Sequence, residues 1–226
     1  MFDGIRPGQL PCIQYGSTVR GDARSGLSDI NLLIVLNEST PEAHAALAKI
    51  LREFPRIDPM VLAVKEFGRS FRAFAIKFLS IRRDYRVLHG ADPLQDLAID
   101  PEHERFLCEQ ALRNIRLRLV NSFLRFGHDR RRFSEYLGHL VSPLFVDLSE
   151  VLRLEGIDIP HDFAARVQVL EKGFETDTSV LSDLLALKAQ SRRLTNAEIL
   201  TYHGRVYTLL REVIGWMERR WPTPSG

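Results

Sequence analysis

With two cysteines in 226 residues, the chain cannot be a disulfide scaffold, and Cys12 and Cys108 lack the paired spacing of a zinc site. Both are expected to be reduced and packed among apolar neighbours. An excess of one charge is missing too, since 31 Lys and Arg stand against 29 Asp and Glu for a formal net charge of +2. A chain this close to neutral is not built to coat nucleic acid, so nucleic acid is not the expected partner. No apolar run exceeds strand length, and the opening residues, MFDGIRPGQLPC, lack a basic stretch followed by an apolar block. Neither a membrane span nor a signal peptide is expected, and the chain reads as a cytoplasmic globular protein. A G-x-S-x-G elbow, a P-loop and a dinucleotide glycine fingerprint are all absent, and no repeat of solenoid period is visible.

The chain does contain a 45% hydrophobic composition over a length that suits two modest cores. The pattern changes near Asp100, so the expected domains are 1–100 and 101–226. Before the boundary, strand-sized runs at Leu10–Tyr15, Asp29–Leu36, Met60–Val64 and Phe74–Ile81, with a further extended piece ending at His89, predict an α/β or α+β domain with a small mixed sheet. His44, Leu47, Ile50, Leu51 and Phe54 recur at helical spacing and predict an amphipathic helix over that sheet. Lys65–Arg72 reads as a polar and aromatic crossing. Beyond Pro101 the apolar positions keep a helical period: Leu112 to Phe123, Phe133 to Val151 around Pro143, Asp162–Lys172 and Thr178–Lys188. The last helix opens on the capping box Thr195-Asn196-Ala197-Glu198 and runs to Trp221. This half predicts an all-α antiparallel bundle.

The chain is organised around Tyr15–Leu36, YGSTVRGDARSGLSDINLLIVL. Gly16-Ser17 ends an apolar run, and glycine there permits a tight turn beside a ligand. A helix starting just after it would aim free N–H groups and the Ser17 hydroxyl at a phosphate. Asp29 and Asn31 are two residues apart on a strand, so their oxygen-bearing side chains share a face. Thr18–Ser28 is a polar loop or short helix carrying Arg20 and Arg24, whose guanidinium forks suit phosphate as well as an ordinary solvated loop.

Gly-Ser, the gap, Ser-Asp-x-x-Leu-Leu and the later turn in FLSIRRDYRVLHGADPL (78–94) resemble the DNA polymerase beta-like nucleotidyltransferases, specifically the minimal and kanamycin-type group. With EQALR (109–113), the resemblance covers roughly the first half of the chain. It implies a nucleotidyltransferase-like fold and a two-metal transfer of a nucleoside monophosphate from a nucleoside triphosphate (NTP) to an acceptor, with Mg²⁺ as the ion. It assigns the metal to Asp29 and Asn31, the nucleotide to Gly16, Ser17, Arg20 and Arg24, and the catalytic set to Asp29, Asn31 and Asp58. Asn31 departs from the family, which places a second carboxylate there. If the loss costs about 3–5 kcal/mol of transition-state stabilisation, the rate falls roughly 10²–10⁴-fold, leaving the activity weak or lost. The third carboxylate falls to Asp58, expected just before its strand, or Glu66, just after it. The acceptor is a small hydroxyl compound or a protein side chain. The alternative is a non-catalytic scaffold that binds a partner, including toxin–antitoxin-type pairing, with homodimerisation left open.

Three features stand outside that assignment. RFGHDRRR (125–132) is the densest positive cluster and suits a solvated interhelical turn better than a nucleic-acid contact. Arg132 and His139 loosely resemble the Arg and His of helical HEPN ribonucleases. His203, beside Gly204, is expected to be structural.

Overall fold

The computed structural model describes residues 10–20, 29–95, 98–190 and 192–222. The chain divides into two compact units, Met1–Ile99 and Asp100–Gly226. In the first unit, strands β1 (Cys12–Tyr15), β2 (Ile30–Leu36), β3 (Ile57–Ala63) and β4 (Tyr85–His89) form one sheet in the order β3-β2-β1-β4. β1 runs antiparallel to both β2 and β4, whereas β2 and β3 are parallel. A parallel pair requires a crossover, which helix α2 (Pro41–Leu51) supplies. Thr40 starts α2 by accepting the Ala43 N–H at 3.2 Å, with Pro41 in the first turn. Between β1 and β2 the described residues include a single short turn of helix, α1 (Ser17–Arg20).

Two expectations for this unit fail. Lys65–Arg72 and Phe74–Ile81 are not a crossing and a strand but helices α3 (Val64–Ala73) and α4 (Ala75–Arg83). Phe67, Phe71, Ala75 and Phe78 sit four, four and three residues apart, which is a helical stripe, and all four are buried. Phe67, Phe71, Phe78 and Ile81 pack against Ile13, Leu33 and Val35, so α3 and α4 cover the sheet. Phe78 meets both Phe67 and Phe71 edge-on at centroid distances of 5.5 Å. α2 therefore covers much less than its apolar stripe suggested: none of its residues is fully buried, with Ile50 59% and the following Phe54 51% exposed. The extended piece before His89 narrows to β4, because Arg82 and Arg83 finish α4.

The second unit is helical throughout its regular elements. α5 (Pro101–Phe126) and α6 (Arg130–Leu154) are joined by three residues, too few for anything but antiparallel neighbours. α7 (Phe163–Phe174), α8 (Ser179–Gln190) and α9 (Asn196–Arg220) complete it, with α7 and α8 against α6 and α9 against α5. Leu112, Leu119, Leu137, Leu144, Leu184 and Leu210 are fully buried at the centre. Pro143 lies inside α6, where it removes one backbone donor. Cys12 and Cys108 are free thiols, and burial pushes the pKa of each up. No described helix is long and apolar enough to cross a membrane.

Candidate functional site

Sheet register brings the chemistry-bearing residues together. Tyr15 on β1 pairs with Asn31 on β2, and Asn31 pairs with Asp58 on β3. Register partners project to the same face, so Tyr85, Tyr15, Asn31 and Asp58 form one row across the four strands. The row lies at the start of β2 and β3. Tyr15 is buried, Asn31 is half-buried and Asp58 is exposed. Asp29 is exposed one residue before β2, and the adjoining Ile30 N–H is fixed to the Arg56 carbonyl at 2.7 Å.

The turn after β1 closes against this row. Gly16 has φ of +83°, a backbone conformation that favours glycine. Its N–H donates to the Asp84 carbonyl at 3.1 Å, and its carbonyl accepts the Val19 N–H at 2.9 Å. A Cβ added at Gly16 would lie 3.2 Å from Asn31 Nδ2, so the bend runs close beside that amide and a side chain there would crowd it. On the opposite face of β1, Gln14 donates to Thr18 at 3.1 Å and accepts from Arg86 at 2.8 Å, tying α1 and β4 to the strand. The side chains of Ser17 and Arg20, and all of Arg24, lie outside the described residues.

Asp58 belongs to β3 rather than preceding it, because the strand begins at Ile57 and admits Pro59. Glu66 lies beyond the other end of β3, in the first turn of α3, where its carboxylate accepts the Ala63 N–H at 3.4 Å. Five residues of strand, roughly 17 Å, separate Asn31's register partner from that end. Of the two acids offered for a third carboxylate, Asp58 alone stands beside Asn31.

The structure adds Lys77, which sequence reading missed. It projects from α4 with Nζ 4.9 Å from the Tyr15 ring centroid. Loss of solvation pushes its ammonium below the usual lysine range, and the negative charge of Asp58 opposes that shift. Burial and, secondarily, Asp58 push the Tyr15 phenol up to about 12, so it stays neutral at physiological pH. Tyr85 also reaches about 12, chiefly because it donates a 2.6 Å hydrogen bond to Asp92. Lys77 was obscured by the misread strand, although the Phe67–Phe71–Ala75–Phe78 stripe would have placed it on a helix.

The oxygen set is two carboxylates and one amide carbonyl. Hard oxygen donors suit Mg²⁺, which takes one or two carboxylates and fills its shell with water and substrate phosphates. Among the described residues, no group of three or more His, Cys, Asp or Glu side chains forms a metal cage by itself. Asp29, Asn31 and Asp58 offer oxygen donors of the type such an ion takes.

Elsewhere, His44 is an exposed surface residue bonded to Ser39 at 2.8 Å. His203 stacks on Phe123 at 4.0 Å, and its Nδ1 is buried without a hydrogen-bond partner. Arg132 pairs with Asp129 at 3.5 Å and lies over the Phe126 ring, whereas His139 lines a cavity with Arg131.

Comparison with known proteins agrees with this geometry. Residues 12–87 match the family model of the nucleotidyltransferase domain. No match is found among curated proteins. Among solved structures, a spectinomycin adenyltransferase from Enterococcus faecialis, determined with ATP and spectinomycin, is similar in fold with a TM-score of 0.54 and 14% identity. The alignment covers 90% of this chain and 92% of that one. Residues 12–87 are thus similar to a nucleotidyltransferase domain.

Proposed function

We propose that the chain binds an NTP together with Mg²⁺ beside the Gly16 bend and transfers its nucleoside monophosphate to the hydroxyl of a small acceptor, at a rate held down by Asn31. The observation that carries this reading is the register of Asn31 with Asp58, with the Gly16 bend running close beside Asn31. The spectinomycin adenyltransferase, determined with ATP and spectinomycin, supports the choice of substrates.

In this reading Asp29 and the Asn31 carbonyl hold the ion, and the backbone at Gly16 leaves room for the triphosphate. Mg²⁺, when bound, supplies positive charge to the phosphate oxygens. Asp58 takes the proton of the acceptor hydroxyl as its oxygen bonds to the α-phosphorus. The bond from that phosphorus to the bridging oxygen breaks, and pyrophosphate leaves. Lys77 contributes a fixed positive charge near Asp58, partly offsetting the demand for a second ion.

Transfer of label from α-labelled ATP to a panel of aminocyclitol and aminoglycoside acceptors tests the proposal. The native chain should transfer slowly, Asp29→Ala should not transfer, and Asn31→Asp should gain roughly 10²–10⁴-fold. Fast native transfer would overturn the slowed-site reading. Calorimetry showing no Mg²⁺-dependent NTP binding by either the native chain or Asn31→Asp would overturn the enzyme reading and leave a scaffold.

A further inference from the structure

The helical unit gathers positive charge in a place the nucleotidyl-transfer reading does not use. A cavity of about 420 Å³ is lined by Arg131, Lys188, Arg192 and Arg193, with Glu135 the one carboxylate and His139 on the same wall. A second cavity of about 510 Å³ shares Arg131 and Arg193 and adds Arg130 and His128 against Asp129. Cations therefore outnumber carboxylates in both, in a chain whose net charge is only +2.

The arrangement is built rather than loose. Ser134 on α6 donates its hydroxyl to the Arg130 carbonyl at 2.6 Å and accepts the Leu194 N–H at 2.9 Å. The Arg130 guanidinium donates to the Leu194 carbonyl at 3.0 Å, and Leu194 itself is fully buried. These bonds pin the segment before α9 against the first turns of α6 and present Arg192 and Arg193 to the cavity. The carboxylates nearby are already engaged: Asp129 accepts the Arg131 and Arg132 N–H groups, Glu135 lies 3.8 Å from Arg131, and Glu198 takes Arg192 at 2.8 Å. Lys188 is left with a hydroxyl partner, Ser142 at 2.8 Å.

Arg131 and Arg192 already have carboxylate partners, so the attraction for an anion rests on the excess of cations in the lining, and planar guanidinium forks match phosphate oxygens. Among the described residues no Phe, Tyr or Trp lines either cavity, so bases have no platform to stack on. The volume suits a small ligand. We propose that the cavity between α6, α8 and the segment before α9 is an anion site for a compact, multiply charged phosphate compound such as a polyphosphate chain or a bisphosphate ester. Loss of solvation lowers the Lys188 ammonium below its usual range, and a bound phosphate would reverse that shift.

The test uses the full chain carrying Asp29→Ala, which removes the first unit's metal ligand, titrated with tripolyphosphate by calorimetry at constant ionic strength. Saturable binding of one equivalent is expected, weakened about tenfold or more, at least 1.4 kcal/mol, by Arg193→Glu or Lys188→Glu. Arg193→Lys should retain most of it, and thermal unfolding of each variant confirms that the unit stays folded. Absent or non-saturable binding, or binding indifferent to both reversals in folded variants, overturns the site. Tighter binding of a single-stranded RNA oligomer than of tripolyphosphate, abolished by the same reversals, overturns the small-ligand assignment in favour of nucleic acid.

Discussion

Gly16 is where one added methyl group should do the most harm. Its φ of +83° disfavours any side chain, and a Cβ would press on Asn31 at 3.2 Å. Gly16→Ala should cost about 1–2 kcal/mol of stability, read from denaturant unfolding, and should weaken NTP binding more than the stability loss explains. The same residue shows how far a single sequence can be read. Gly-Ser followed by Asp29 and Asn31 was legible because turn chemistry and two-residue alternation are local. Lys77 was not, because its proximity to Tyr15 depends on how α4 lies against the sheet, which no local pattern encodes. Asp58 was intermediate, visible as an acid beside a proline but brought next to Asn31 only by a strand pairing between residues 27 positions apart in the chain.

The long helices of the second unit were the most legible elements, since each carries several turns of apolar period and most have an N-cap. α9 states its own beginning: Thr195 accepts the Glu198 N–H at 3.2 Å while Glu198 accepts the Thr195 N–H at 2.8 Å. Thr195→Ala should lower stability by about 1 kcal/mol, measurable as a shift of the urea midpoint at unchanged slope. The failure at residues 64–83 has the opposite cause. FAIKFLSI is apolar enough to pass for a buried strand, and a short run of that kind does not distinguish strand from helix unless the stripe is traced back to Phe67. α2 erred the other way, since a good amphipathic period promised burial that α3 and α4 already provide.

For the molecule as a whole, one carboxyl group tilts stability against rising pH. Asp147 on α6 is held up at about 7, first by burial and then by the negative charge of Glu150. An unfolded aspartate titrates near about 4. Between those values the unfolded chain releases a proton that the folded chain keeps, so stability falls as pH rises through the window. Asp147→Asn should remove that fall, stabilising the chain above about pH 8 by up to about 4 kcal/mol and changing little below about pH 3. Thermal unfolding across that range reads the difference. A finding of equal pH slopes for the two chains would place the charge elsewhere.

Pro59, admitted within β3, has a consequence for the edge of the sheet. Among the described residues β3 is the outermost strand on its side of the sheet, and the proline gives that border a position with no amide hydrogen to offer. A stray extended segment trying to dock there would meet a gap in its ladder next to the exposed charge of Asp58. The same proline thus discourages self-templated growth into fibrils.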